Sequence, residues 1–170
     1  MNKILSILLI FLLLILQIAF MPHLAIFGVF PDILLAAIIF FAVLKGGELV
    51  FLFAFFSGLA LDVFSSRAFG IYALNFVLVT WLIQFIGKNV FKATDFSGQI
   101  SIIACACSLF SILNLFLIKN FYWLGLGQNI SFWSNFLRVG LLEIILNFAL
   151  AVLGLAIFKK VYAQLYNLDL

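Results

Sequence analysis

Long apolar runs broken by short polar interruptions organise this chain. Residues 4–31, 68–87, 96–118 and 144–158 carry no Lys, Arg, Asp or Glu. A helix that crosses roughly 30 Å of hydrocarbon needs about 20 apolar residues, and backbone polar groups in lipid must be paired within a helix or a closed barrel. The runs lack strict apolar–polar alternation and exceed the length of a barrel strand, so helices are expected. The pattern predicts an all-α integral membrane protein, a bundle of six transmembrane helices near residues 4–20, 31–44, 48–64, 69–87, 98–118 and 132–158. Residues 1–170 are expected to form a single polytopic membrane domain.

The breaks have physical causes. Pro31 suits the first turn of helix two, where its missing N–H is no loss. Lys45-Gly46-Gly47-Glu48 reads as a turn, Ser65-Ser66-Arg67 separates helices three and four, and the stretch from Lys88 to Asp95 separates four and five. Residues 119–131 are expected to be the longest loop. The range 31–44 covers only about 21 Å as a helix, so helix two must be buried among neighbours or run past these bounds. A four-helix arrangement with 31–64 as a re-entrant hairpin is the alternative. The first run follows Lys3 as a signal peptide's would, but it is nearly span-length and no clear A-x-A site follows.

Composition sharpens the membrane reading. The chain is 68% apolar, and its mean hydropathy is +1.37. Nine basic and six acidic residues give a net charge of +3, but the basic ones lie at helix ends, so no nucleic-acid partner is expected. Lys3, Lys45, Lys88, Lys92, Lys159 and Lys160 fall on one side of a six-span topology, with Arg67, Lys119 and Arg138 on the other. The positive-inside rule makes the first side cytoplasmic and places both termini there. Tyr122, Trp123 and Trp133 then form an outer aromatic belt or, on the sharper reading, a binding surface.

Enzymatic chemistry finds no foothold. His23 is the sole histidine and reads as a loop residue. H-E-x-x-H, C-x-x-C and the P-loop are absent, and Gly125-Leu126-Gly127 lacks the third glycine of a dinucleotide loop. Cys105 and Cys107 face apart on a helix, so neither a disulfide nor a metal site is expected. Asn129-Ile130-Ser131 matches a glycosylation triplet that matters only in a eukaryotic secretory context. No catalytic residue, cofactor or metal is expected.

The informative residues are polar ones inside apolar runs, where a charge costs roughly 2.5–3.5 kcal/mol on insertion scales. Asp32 opens helix two, Asp62 closes helix three, and Arg67 follows it. Asn75 and Arg138 each lie about 9 Å inside their helices, and Glu143 lies deeper. All gather toward the outer half. One reading is a structural network in which Asp62 pairs with Arg67 or Arg138; the other is a pocket or partner contact. Glu143 has no same-face partner in Arg138, five positions away, and a protonated Glu143 donating to a neighbouring helix would suit it. Small residues mark seams at Ala54, Gly58 and Asp62 on helix three, and at Gly140, Glu143, Asn147, Ala151 and Gly154 on helix six. Helix five carries Ser101, Ala104, Ser108 and Ser111. Such seams serve packing within the chain or docking of another chain's helix.

Three motifs carry a resemblance: Pro31-Asp32-Ile33-Leu34-Leu35, Ser57-Gly58-Leu59-Ala60-Leu61-Asp62-Val63-Phe64, and Ala68-Phe69-Gly70-Ile71-Tyr72-Ala73-Leu74. In this order and spacing, over about residues 28–78, the chain resembles the MreD family of bacterial rod-shape-determining proteins. The resemblance implies a multi-pass inner-membrane protein without enzymatic activity. Its direct partner would be the scaffold MreC, engaged through a membrane helix, with MreB, RodA and a class B penicillin-binding protein in the same peptidoglycan-synthesising assembly. It also implies a fold similar to the S components of energy-coupling-factor transporters. The motif positions it carries over are Pro31, Asp32, Gly58, Asp62 and Gly70.

Two functions from different classes follow. The first is a non-catalytic scaffold that helps maintain rod shape. The second is a vitamin-transporter S component binding a small solute in the outer half. Against the second, helix one lacks an Ala-x-x-x-Ala docking motif, and the loop 119–131 is mostly apolar. A proton-coupled carrier built on Glu143 is a third and weaker reading.

Overall fold

The computed structural model describes residue 8 and residues 11–44, 46–65, 68–89, 96–125 and 131–166. These residues are almost entirely helical, without a named strand among them. Helix α1 is described over Phe11–Leu24 and ends in a π turn, Leu16–Phe20, and a 3-10 turn, Met21–Leu24. Then come α2 (Ile33–Leu44), α3 (Glu48–Phe64), α4 (Ile71–Asn89) and α5 (Phe96–Trp123). The last helix, α6, begins as Phe132–Asn135, passes through a π turn at Phe136–Gly140 and continues as Leu141–Tyr166.

Helical segments occupy each predicted range, with corrections at the ends. The α1 helix continues past residue 20, so His23 sits on its 3-10 turn rather than in a loop. The α5 helix runs to Trp123, which takes Lys119, Tyr122 and Trp123 out of the expected loop and onto a helix end. Among the described residues, three stretches are long and apolar enough to cross a membrane: Ile71–Lys88, Ser97–Trp123 and Phe132–Ile157. Their length and composition mark a membrane protein.

The short helix is the centre of the fold. No described side chain of α2 is exposed, and Leu34, Leu35, Ile38 and Ile39 are fully buried. It packs against α1, α3, α4, α5 and α6. The core continues through Phe53, Phe76, Val79, Ile102 and Phe110. Phe76 and Phe110 stack across α4 and α5 with centroids 5.8 Å apart. Outward-facing apolar side chains such as Leu52, Phe56, Trp81, Phe116, Ile145 and Leu153 suit a lipid solvent.

α3 and α4 pack closely, and glycine permits it. A Cβ on Gly58 would stand 2.5 Å from Ala73 Cα and 2.7 Å from Ala73 N. Ala54, one turn earlier, is fully buried. The bend into α4 uses Gly70 at φ +99°, a conformation L side chains rarely adopt. At the opposite end, the Gln84 side-chain amide clamps the α2–α3 turn, accepting from Gly47 N–H (3.2 Å) and donating to Gly47 O (3.1 Å).

Candidate functional site

A helix that ends inside an apolar bundle exposes N–H donors that water cannot reach. The sequence supplies acceptors at both such ends. At α2, Asp32 is the N-cap, and its Oδ1 accepts from Leu35 N–H at 3.0 Å. Ile33 N–H donates to Gln17 Oε1 of α1 at 2.8 Å, and Asp32 N–H donates to Asn147 Oδ1 of α6 at 2.7 Å. Gln17 Nε2 makes a longer 3.5 Å contact with Pro31 O, and Pro31 itself has no N–H to satisfy. Three elements thus converge on one helix end, and Gln17, Asp32 and Asn147 are all buried.

At α4 the cap comes from another helix. Gly70 occupies the N-cap position and has no side chain to offer. Asp62 of α3 provides the missing group, with Oδ1 accepting from Tyr72 N–H (2.9 Å) and Oδ2 from Ala73 N–H (3.1 Å). A carboxylate at a helix N-terminus also meets the positive end of its dipole. Gly58 and Asp62, one turn apart on α3, therefore address the same first turn of α4: the glycine admits its backbone and the aspartate binds it.

Glu143 joins α6 to α5. Ser111 Oγ lies 2.8 Å from Glu143 Oε2 and 3.1 Å from Gly140 O, while Asn114 Nδ2 donates to Glu143 Oε1 at 3.2 Å. Oε1 accepts from the Asn114 amide, so the expected donation from a protonated Glu143 to a neighbouring helix would run through Oε2 to Ser111 of α5. The single Ser111 proton can point to either neighbour, so Oε2 can be an ionised acceptor or a protonated donor to Ser111. Glu143→Gln preserves this pattern: its Oε1 accepts from Asn114, and its Nε2 donates to Ser111, which turns to Gly140. Glu143→Lys brings an ammonium without acceptor capacity against Asn114 Nδ2. The Gln variant is expected to accumulate in membranes as the native chain does and the Lys variant to be lost. Normal, monodisperse accumulation of the Lys variant by size-exclusion chromatography would refute this site.

Between these groups lies a cavity of about 360 Å³ at the polar end of the bundle. Its walls include Gln17, Asp32, Ser65, Tyr72 and Glu143, with Pro22, Gly28, Leu61 and Phe64 supplying apolar surface. Both π turns border it, through Gln17 and Ile18 on α1 and Val139 on α6.

Of the residues singled out by sequence, the cavity brings Asp32 and Glu143 together, with Asp62 and Gly70 just behind its Tyr72 wall. Asn75 is fully buried on another face, donating to Phe110 O of α5 at 3.1 Å. Arg138 is exposed and lines a different hollow. Arg67 lies outside the described residues, so the expected Asp62–Arg67 pair does too. Of the seams, Ala54, Gly58 and Gly140 pack within the chain, the last against Ser111 and Phe136, whereas Gly154 is exposed and open. Ser101 and Ser108 bond back to their own helix, at Ser97 O and Ala104 O. Among the described residues, Asn75 Oδ1 and Asn147 Nδ2 are buried without a hydrogen-bond partner. No group of side chains capable of holding a metal occurs among them either.

Sequence alone did not single out Gln17, Asn114 or Gln84, and it marked Ser111 only as a seam position and Tyr72 only as part of a motif. Gln17 carried a usable signal: an amide in the middle of the uncharged run 4–31.

No protein-family model, curated protein or solved structure matches the chain.

Proposed function

We propose that this protein is a non-catalytic membrane scaffold of the MreD type, crossing the bacterial inner membrane six times with both termini in the cytoplasm. One observation carries the reading. The motif residues behind the resemblance are spent on architecture: Pro31 and Asp32 start α2, and Gly58, Asp62 and Gly70 lock α4 onto α3. Residues so engaged build a rigid platform of fixed helix ends, as a scaffold needs. The partner is an MreC-like protein docked by its single membrane helix, with MreB, RodA and a class B penicillin-binding protein in the wider assembly. The exposed apolar faces of α3 and α6 offer the contact area.

A second reading rests on the cavity. Its volume of about 360 Å³ falls within the range of small-molecule sites, and two carboxylates and two amide or phenol side chains line it. An S component of an energy-coupling-factor transporter would hold its solute there.

Native mass spectrometry of the protein released from its own membranes in mild detergent separates the two. A bound single-span polypeptide with an extracytoplasmic domain is the expected result. A bound small solute, or a complex with ATPase subunits, would replace the scaffold reading with the transporter one.

A further inference from the structure

A second hollow, of about 610 Å³ and open along one side, lies between the α1–α2 connection and the start of α6. The connection is a tight turn closed by Ile26 N–H to Val29 O (2.8 Å) and Val29 N–H to Ile26 O (3.0 Å). Its central residues, Phe27 and Gly28, sit at φ +50° and +80°. A left-handed phenylalanine is strained, and this one is 95% exposed, so the turn holds an aromatic ring out of the fold. Across from it stand Leu137, Leu141, Ile145 and Arg138.

Arg138 is the one charged group among the described residues lining the hollow. An arginine on an apolar surface is costly in lipid unless its guanidinium reaches an anion or water. Its position meets that need. Trp133, one turn before Leu137 and widely exposed, belongs at the headgroup layer. Arg138 lies about 7.5 Å further along the helix, and helical side chains lean back toward the N-terminus. Its guanidinium therefore projects toward the layer that Trp133 marks. α6 is also more peripheral than α5: a smaller share of its apolar stretch Phe132–Ile157 is buried than of Ser97–Trp123.

We propose that this hollow is a binding site for an anionic phospholipid, with the headgroup phosphate on Arg138 and an acyl chain between Phe27 and the Leu141–Ile145 face. The phosphate and the planar guanidinium pair well. Among the described lining residues no carboxylate awaits a choline or ethanolamine cation, so a headgroup of net negative charge matches best. The site is independent of whether scaffold or transporter is the right function.

The test uses the full chain, delipidated in detergent and titrated with dioleoyl phosphatidylglycerol or dioleoyl phosphatidylcholine under native mass spectrometry. Phosphatidylglycerol is expected to bind about fivefold more tightly, a preference that Arg138→Gln removes. Lys119→Gln, which neutralises an exposed basic residue on α5, is expected to leave the preference in place. Equal affinity of the native chain for the two lipids would overturn the site. So would an unchanged preference in Arg138→Gln, or an equal loss in Lys119→Gln, which would mark diffuse surface charge.

Discussion

Gly58→Ala is expected to be among the most damaging single-methyl additions to this protein, lowering the thermal midpoint in detergent by about 10 °C. The new Cβ would fall 2.5 Å from Ala73 Cα and 2.9 Å from Tyr72 C. Those atoms are backbone in the first turn of α4, so no rotamer change can relieve the overlap. The helices must separate or shear, which costs about 3 kcal/mol at the upper end for overpacking. Separation also stretches the Asp62 bonds to Tyr72 and Ala73 one turn away, so the two losses add. Gly154→Ala is the internal control: nothing lies within 4 Å of its Cβ position, and Ala is the better helix former. Fluorescence-detected size exclusion after graded heating reads both. A Gly58→Ala midpoint equal to that of Gly154→Ala would show that α3 and α4 do not meet through this glycine.

What could be read in the sequence was what lipid imposes on single segments. Apolar runs longer than about 15 residues declared themselves as helices, because hydrocarbon leaves the backbone few other options. The short α2 was legible as an anomaly, since about 21 Å of helix cannot cross the membrane unaided. Its resolution was not legible. Gln17 and Asn147 lie 16 and 115 residues from their hydrogen-bond partners Ile33 and Asp32, and nothing local announces that both converge on one helix end. The sequence likewise flagged Asp62 as a buried charge in need of a partner and offered Arg67 or Arg138. The backbone of α4 donates two hydrogen bonds to that carboxylate, and peptide N–H groups leave no trace in residue identity. The single clue was Gly70, which cannot cap the helix it precedes. Arg138 shows the converse: depth along α6 was readable, but the side of the helix it occupies depended on a π turn that shifts the register by a residue.

Asp62→Ala should open the start of α4 without melting its middle. Removing the carboxylate leaves Tyr72 and Ala73 N–H without their acceptors. The aspartate is buried, so water cannot readily replace it. Hydrogen bonds to a charged acceptor are worth about 1.5–3 kcal/mol each, and stranded donors add their own desolvation penalty. A net loss of about 3 kcal/mol follows once relaxation of a frayed first turn is allowed. Asp62→Asn is the sharper probe, because its amide has one acceptor oxygen for two donors and turns an NH₂ toward the other. It should lie between the native chain and Asp62→Ala. Had the aspartate served only as a counter-ion for an arginine, Asn and Ala would remove the same charge and differ little. Hydrogen–deuterium exchange resolves the mechanism as well as the magnitude. Tyr72 and Ala73 amides should exchange faster in both variants, and most in Ala, while Val79 and Ile83 in mid-helix keep their protection. Native-like protection of Tyr72 and Ala73 in Asp62→Ala would mean that α4 starts without this cap, and the motif aspartate would need another purpose.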